Sequence, residues 1–526
     1  MKWPARSGLR WMLALGLSLG GLAVFESMVW LVTGLLPHQT NVGRALLGAW
    51  GLTWIFLLGL GLLKLILRLS WAPLAVARTV LDEAVRMKLA VGFVAALLLL
   101  LVFLPALQDA QTPLRYRVQT FLSFALGATG VLLSLLTVFL ACATLSHEVA
   151  DQRIFTVLSK PVGRGAYLAG KWLGIAALNA LLLAVAGIAT YGFAWMLCRQ
   201  PGTRSADVEE VQREVLTARV SYLPHPPEPL EARAHRRLDE MKHENAPELK
   251  EHSAEKLFAQ LVEQEKRRWF SIDPHGRESY LFEDLRLGEL RAEEWQLRWR
   301  LMSGRPDGEE RLQFKVMLNG RTFPVSEQTG SYKLYRLPAQ LAGTAGRLEV
   351  TVIHEHPTDR AKTSSNSLVL AGENGLELLG DTGGFGANLA RALLVQWVRL
   401  GFLAMVGLTA ATCLGFPVAS LVALVVLAVA LSSGFVVESM AYYGENAADK
   451  GLEHVTSPLR GMALFMATRL AEYGRFAAND LVVDGRLVPW PDVLACAGWV
   501  GLLWTGLAAL LSWVVFRRRE LGRVQV

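Results

Sequence analysis

Apolar residues in this chain come in runs of about 20 or more, the length a helix needs to cross ~30 Å of hydrocarbon, and not at the scattered periodic spacing of a soluble core. The runs fall within 1–198 and 390–516, and a mostly polar, charged stretch occupies 199–389. The pattern predicts eight transmembrane helices, at 11–35, 46–67, 89–107, 119–143, 172–197, 391–413, 416–437 and 492–516. Residues 73–88 are too polar to span. Val76, Val80, Ala84 and Met87 recur there at helical spacing, with Arg78, Asp82, Arg86 and Lys88 elsewhere on the wheel. That predicts an amphipathic helix lying in the membrane interface.

The long polar stretch divides in two. Residues 205–268 are rich in Glu, Arg, Lys, Leu and Ala and predict charged, solvent-facing helices, broken at Pro224–Pro229. Residues 276–372 switch to period-two alternation, as in Leu297, Trp299 and Leu301, in Leu312, Phe314, Val316 and Leu318, and in Leu348, Val350 and Val352. With turns at Asn319-Gly320 and Gly343–Gly346, this predicts a small antiparallel sheet domain of sandwich type.

Charge then orients the helices. Lys2, Arg6 and Arg10 precede the first span, and Lys64 to Lys88 carries five cations between the second and third. Arg153, Lys160, Arg164 and Lys171 lie between the fourth and fifth, and Arg517, Arg518, Arg519 and Arg523 follow the last. All fall on one side if both termini are cytoplasmic, as the positive-inside rule expects. The expectation is a multi-pass protein of the plasma (inner) membrane with 199–389 and 438–491 outside. The net charge of +7 is accounted for by these flanks, so no nucleic-acid partner is expected. The first run continues too far to be a cleaved signal peptide and reads as a retained helix. The four cysteines form no CxxC or CxxH pair, and neither a disulfide framework nor a structural zinc site follows.

Candidate chemistry is sparse. Gly165 to Trp172 matches GxxxxGK, but Trp172 stands where a phosphate-binding loop needs Ser or Thr, and a spanning helix follows. No other stretch offers an ATP site. His354 and His356 are a possible metal pair at a strand end, without a definite third ligand, and otherwise read as a surface strand end. Glu26 in the first span and Arg399 in the sixth are intramembrane ionisable groups, and so candidates for a polar site. Glu438 and Glu445 read as solvated near the outer interface. No catalytic residue and no bound cofactor is expected in this chain.

The segment between the fourth and fifth spans, 146–171, is short and basic. It holds Glu148, Arg153, Leu158, Lys160-Pro161, Arg164 and Gly170-Lys171, with Gly174 following. Pro161 stops a helix because it lacks an N–H and clashes with the preceding turn. This pattern resembles the first cytoplasmic loop of ABC-2 type transporter permeases. The amphipathic 73–88 resembles that family's elbow helix. Tyr473-Gly474-Arg475-Phe476 through Asp480-Leu481 to Pro489, the last span and Phe516 to Leu521 resemble its C-terminal segment.

The resemblance covers about 73–197 and 390–521. The chain departs from the family's commonest form in two extra N-terminal helices (1–70) and in a large insert, and the resemblance implies that the elbow and three core spans (71–198) follow those helices. The extracytoplasmic insert (199–389) follows, and then three further core spans (390–526) with an outer segment at 438–491. It also implies a coupling helix in 146–165, a second cytoplasmic contact near 413–417, a permease dimer, and a separate ABC ATPase subunit carrying ATP and Mg. The residues it puts in the coupling role are Glu148, Arg153, Leu158, Lys160, Pro161, Arg164, Gly170 and Lys171. Two other readings remain open at this stage. One is a membrane receptor or assembly scaffold that binds a ligand or envelope partner through 199–389. The other is a membrane-anchored enzyme working through the same insert.

Overall fold

The computed structural model describes residues 40–151, 163–243, 254–444 and 473–518, apart from short breaks inside these ranges. The chain divides into two compact units. One takes Met1–Leu216, Phe385–Asp484 and Val488–Val526; the other takes Thr217–Gly384 with Gly485–Leu487.

The first unit is helical. Its described helices before the insert are α1 (Thr40–Ile66), α2 (Ala72–Arg86), α3 (Lys88–Phe103), α4 (Leu114–Ala150), α5 (Arg164–Cys198) and α6 (Ser205–Glu214). Among the described residues, five helices are long and apolar enough to cross a membrane: Gly48–Ile66 within α1, α4, α5, Phe385–Cys413 and Trp490–Arg518. The amphipathic reading of 73–88 holds, since Pro73, Val76, Ala77, Val80, Leu81 and Ala84 of α2 are all buried. α2 and α3 together pass the same test as a broken span, bent by 73°. α3 stops at Phe103 and gives way to a single tight turn, Leu104–Leu107, because Pro105 cannot continue the α-helical ladder. Phe416–Ser432 is a shorter apolar helix, and the predicted 11–35 span, with Glu26, lies outside the described residues.

Two helices run further than their apolar content predicts. α4 continues to Ala150 and α5 starts at Arg164, so 146–150 and 164–171 of the predicted loop 146–171 are helical. Gly170 and Lys171 therefore stand inside a helix, not in a loop. α6, predicted as part of the outer insert, belongs to the helical unit. Arg115 on α4 pairs with its Glu214 at 2.5 Å, and Arg117 donates to Gln200 at 2.7 Å.

The second unit is built on two antiparallel sheets. Its elements are β1 (Thr217–Tyr222), α7 (Leu230–His243), α8 (Ala254–Trp269), β2 (Ser271–Ile272), β3 (Arg277–Phe282), β4 (Glu294–Ser303), β5 (Arg311–Leu318), β6 (Arg321–Gln328), β7 (Tyr332–Pro338), β8 (Leu348–Ile353), β9 (Leu368–Leu370) and β10 (Leu376–Gly384). One sheet runs β1-β10-β4-β9-β2, with β7 on the other edge of β4; the second runs β3-β8-β5-β6. The alternating residues face one shared core. Trp295, Leu297, Trp299 and Leu301 of the first sheet cluster with Phe314, Val316, Val350 and Val352 of the second. In the β5–β6 hairpin Leu318 pairs with Arg321, and Gly320 takes φ +80°, which is what a two-residue connection needs.

Two expectations for this region fail. β1 is a strand within the stretch predicted as helical, because its partner β10 lies about 160 residues downstream in register Thr217↔Gly384, a pairing no local window contains. His354 is fully buried, not a surface strand end: its Nδ1 lies 3.2 Å from the Ile272 carbonyl.

Residues 485–487 pair with the outer edge of β1. Arg219 N–H donates to the Gly485 carbonyl at 2.9 Å, and Leu487 N–H to the Arg219 carbonyl at 2.7 Å. Arg486 and Arg298 both pair with the buried Glu377, which also accepts from Ser221 Oγ at 2.7 Å. The Arg298 guanidinium covers the Tyr332 ring.

Burial holds the His354 imidazole below its usual value of 6.5, with desolvation the main cause and the neighbouring His275 adding to it. The depressed folded value means the unfolded chain takes up the proton first. Stability is therefore full above about pH 6.5 and falls as the pH drops below it, by at most about 1.4 kcal/mol per unit. Amide exchange in β2 and β8 of the full protein should accelerate below that pH, and His354→Gln should flatten the dependence.

Candidate functional site

The remaining helices of the first unit are α9 (Phe385–Cys413), α10 (Phe416–Gly444), α11 (Ala478–Val483) and α12 (Trp490–Arg518). At one end of this unit the ends of α4 and α5 meet α2 around a buried charge cluster, with the start of α10 against α4 and the end of α12 against α5.

Its centre is Lys171, which has no exposed surface. A lysine inside an apolar helix must find a counter-charge or lose its proton, since an isolated buried ammonium is strongly disfavoured. Lys171 Nζ donates to Glu148 Oε1 at 2.7 Å, to Glu83 Oε2 at 3.4 Å and to the Thr144 carbonyl at 3.3 Å. Tyr167 O–H donates a short bond to the second oxygen of Glu148. Glu148 closes α4, Lys171 and Tyr167 stand in the first turns of α5, and Glu83 comes from α2. The cluster thus ties together the two helices that flank 151–163 and pins both to the amphipathic helix.

Close packing reinforces the ion pairs. Gly170 and Gly174, four apart on one face of α5, lie against α2. A Cβ on Gly170 would come within 2.6 Å of the Pro73 carbonyl oxygen and of Val76 Cβ. On Gly174 it would come within 2.7 Å of the Ala77 carbonyl oxygen and 2.8 Å of Val80 Cβ. Small residues at this spacing let helix backbones touch. α2 is also held to α1, where Lys64 pairs with Asp82 at 2.7 Å.

Two further contacts extend the same end. Arg164 Nη1 donates to the carbonyls of Phe516 and Arg517 at 2.9 and 2.8 Å, capping the C-terminal end of α12. A cation suits the negative end of the helix dipole. Tyr167 stacks on Phe516 with ring centroids 6.1 Å apart. The His147 ring lies 5.4 Å from that of Phe416, beside the 413–417 turn.

Of the sequence candidates, Glu148, Arg164, Gly170 and Lys171 are brought together here. Arg153, Leu158, Lys160 and Pro161 lie outside the described residues. Arg399 stands apart, its guanidinium over the Tyr473 ring at 4.2 Å, with Phe402 beside the same ring. Tyr473→Leu should therefore lower the thermal unfolding midpoint, with a stability cost of about 1 kcal/mol.

Glu83, Thr144, Tyr167 and Phe516 belong to the site without having been singled out from sequence. In the sequence Lys171 stands just before the predicted fifth span, where a cation needs no partner; only with the helix beginning at Arg164 does it require an acidic partner on a neighbouring helix. GxxxxGK runs through the first turns of an apolar helix, with Trp172 N–H bonded to the Gly401 carbonyl at 2.8 Å. Among the described residues no group of three or more His, Cys, Asp or Glu is placed to hold a metal ion. No family model, curated protein or solved structure matches this chain.

Proposed function

We propose that this chain is the permease subunit of an ABC-2-like ATP-driven transporter, most simply an exporter. In this reading it crosses the plasma membrane eight times with both termini cytoplasmic and works as a dimer with a second permease. A separate ABC ATPase holds ATP and Mg and docks on the 146–165 segment. The insert and the 438–491 segment face outward.

The observation that carries the reading is the Lys171 cluster. A partner pressing on 151–163 acts on the ends of α4 and α5. Those ends are joined by Glu148–Lys171 and tied to α2 through Glu83 and the Gly170/Gly174 contact. Displacement of that segment is then passed to packed helices and not dissipated in a flexible hinge, because packed helices move as units. The His147–Phe416 and Arg164–Phe516 contacts bring the 413–417 turn and the end of α12 to the same surface. That is where a docked motor would engage several helices at once.

The test is purification of the tagged protein from native membranes in mild detergent. A soluble ATPase bearing a phosphate-binding loop should co-purify in stoichiometric amount. Arg164→Ala is expected to leave the permease folded while weakening the link between ATP hydrolysis and transport. Its readout is ATPase activity that no longer responds to the permease.

A further inference from the structure

A second feature of the helical unit stands independent of the transport reading. Between α5, α9 and α12 lies an apolar groove of about 500 Å³, within the size range of small-molecule sites. Leu168, Trp172, Met405, Thr505, Gly506 and Trp513 are among the residues that line it, and no acidic side chain does.

The groove depends on an irregular stretch of α12. Ala497–Trp504 is wound as a π-helix, with Thr505 Oγ1 donating to the Val500 carbonyl at 2.8 Å. Such turns mark functional sites more often than chance and shift the faces of the residues that follow. Thr409 Oγ1 donates to the Ala508 carbonyl at 3.1 Å and fixes α12 to α9. Small residues then leave the floor open. A Cβ added at Gly506 would meet no atom within 4 Å.

One end of the groove is basic. Trp513 forms a wall there, and the Arg517 guanidinium sits 5.4 Å from its ring centroid. Arg518, the next residue of the helix, is exposed. Gly165, also a lining residue, adjoins Arg164. An apolar slot ending in cations complements a molecule with a hydrocarbon body and an anionic head. Basic pockets between membrane helices recognise acidic lipid headgroups on this principle. We infer that the groove is a binding site for an anionic phospholipid, with an acyl chain lying along Gly506 and the headgroup phosphate at Arg517 and Arg518.

Native mass spectrometry of the full-length protein, titrated with phosphatidylglycerol or with phosphatidylcholine of the same acyl chains, tests this. The intact protein should favour phosphatidylglycerol. Arg517→Gln and Arg518→Gln should each weaken that lipid about fivefold and leave phosphatidylcholine unchanged. Gly506→Leu fills the floor without a clash and should weaken both lipids about tenfold. Gly498→Leu, on the same helix with equal free space but outside the groove, should change neither. Equal affinity of the intact protein for the two lipids would overturn the assignment. So would Gly506→Leu leaving lipid binding intact, or Gly506→Leu abolishing a homodimer without altering lipid binding, which would make the groove an interface between copies.

Discussion

Replacing Lys171 by methionine is expected to destabilise the protein by about 3 kcal/mol. Methionine matches the lysine stem in length and fits the apolar surroundings, so the cost is electrostatic. Glu148 and Glu83 lose their shared cation and face each other in a site where Lys171 itself has no exposure. The two carboxylates keep side-chain exposures of 17% and 26%, which puts the cost at the lower end of the range for broken buried pairs. The unfolding midpoint of the purified protein should drop. The double substitution Lys171→Met with Glu148→Gln should recover part of the loss, since it removes one of the stranded charges. A double-mutant cycle that is additive would mean the two side chains do not interact.

Replacing Gly174 by leucine is expected to be at least as damaging, for a steric reason. The new Cβ would lie 2.7 Å from the Ala77 carbonyl oxygen and 3.0 Å from its Cα, and neither backbone atom can turn aside as a side-chain end can. α2 and α5 must separate, which opens the Val80 and Leu81 packing and lengthens the Lys171–Glu83 contact. Overpacking of this kind costs about 3 kcal/mol or more. The expected result is loss of folded protein from detergent extracts. Gly174→Ala should fall between the two, and Gly506→Ala, where the added carbon meets open space, should have little effect. Equal behaviour of Gly174→Ala and Gly506→Ala would mean that α2 and α5 are not in backbone contact.

How much of this was legible in the sequence depends on where each interaction's partner lies. The long apolar runs show themselves locally, and so do the alternation of β5 and β8 and the buried face of α2. Each records burial of one side of a single element. Lys171 and Glu148 misled the boundaries of α4 and α5, because charge normally marks a helix leaving the apolar phase. Here the charges neutralise one another across two helices, and the helices continue past them. β1 was hidden for a related reason: six residues with little alternation are held as a strand by β10 on one side and Gly485–Leu487 on the other. His354 read as surface because it adjoins Pro357 and charged neighbours, while the folded chain buries it with its Nδ1 against the Ile272 carbonyl. The Gly170–Gly174 spacing is visible in the sequence, but only the position of α2 gives it meaning.

The proposed permease function requires the segment between α4 and α5 to face a motor carried on another chain. A photo-crosslinking residue placed at Lys160 in the full-length protein, irradiated in native membranes, tests it most directly. A single major adduct is expected, with a protein that carries an ATP-binding phosphate loop, and it should be lost when the membranes are stripped of peripheral proteins. Modification of the same position by a membrane-impermeant reagent added from outside the cell would contradict it.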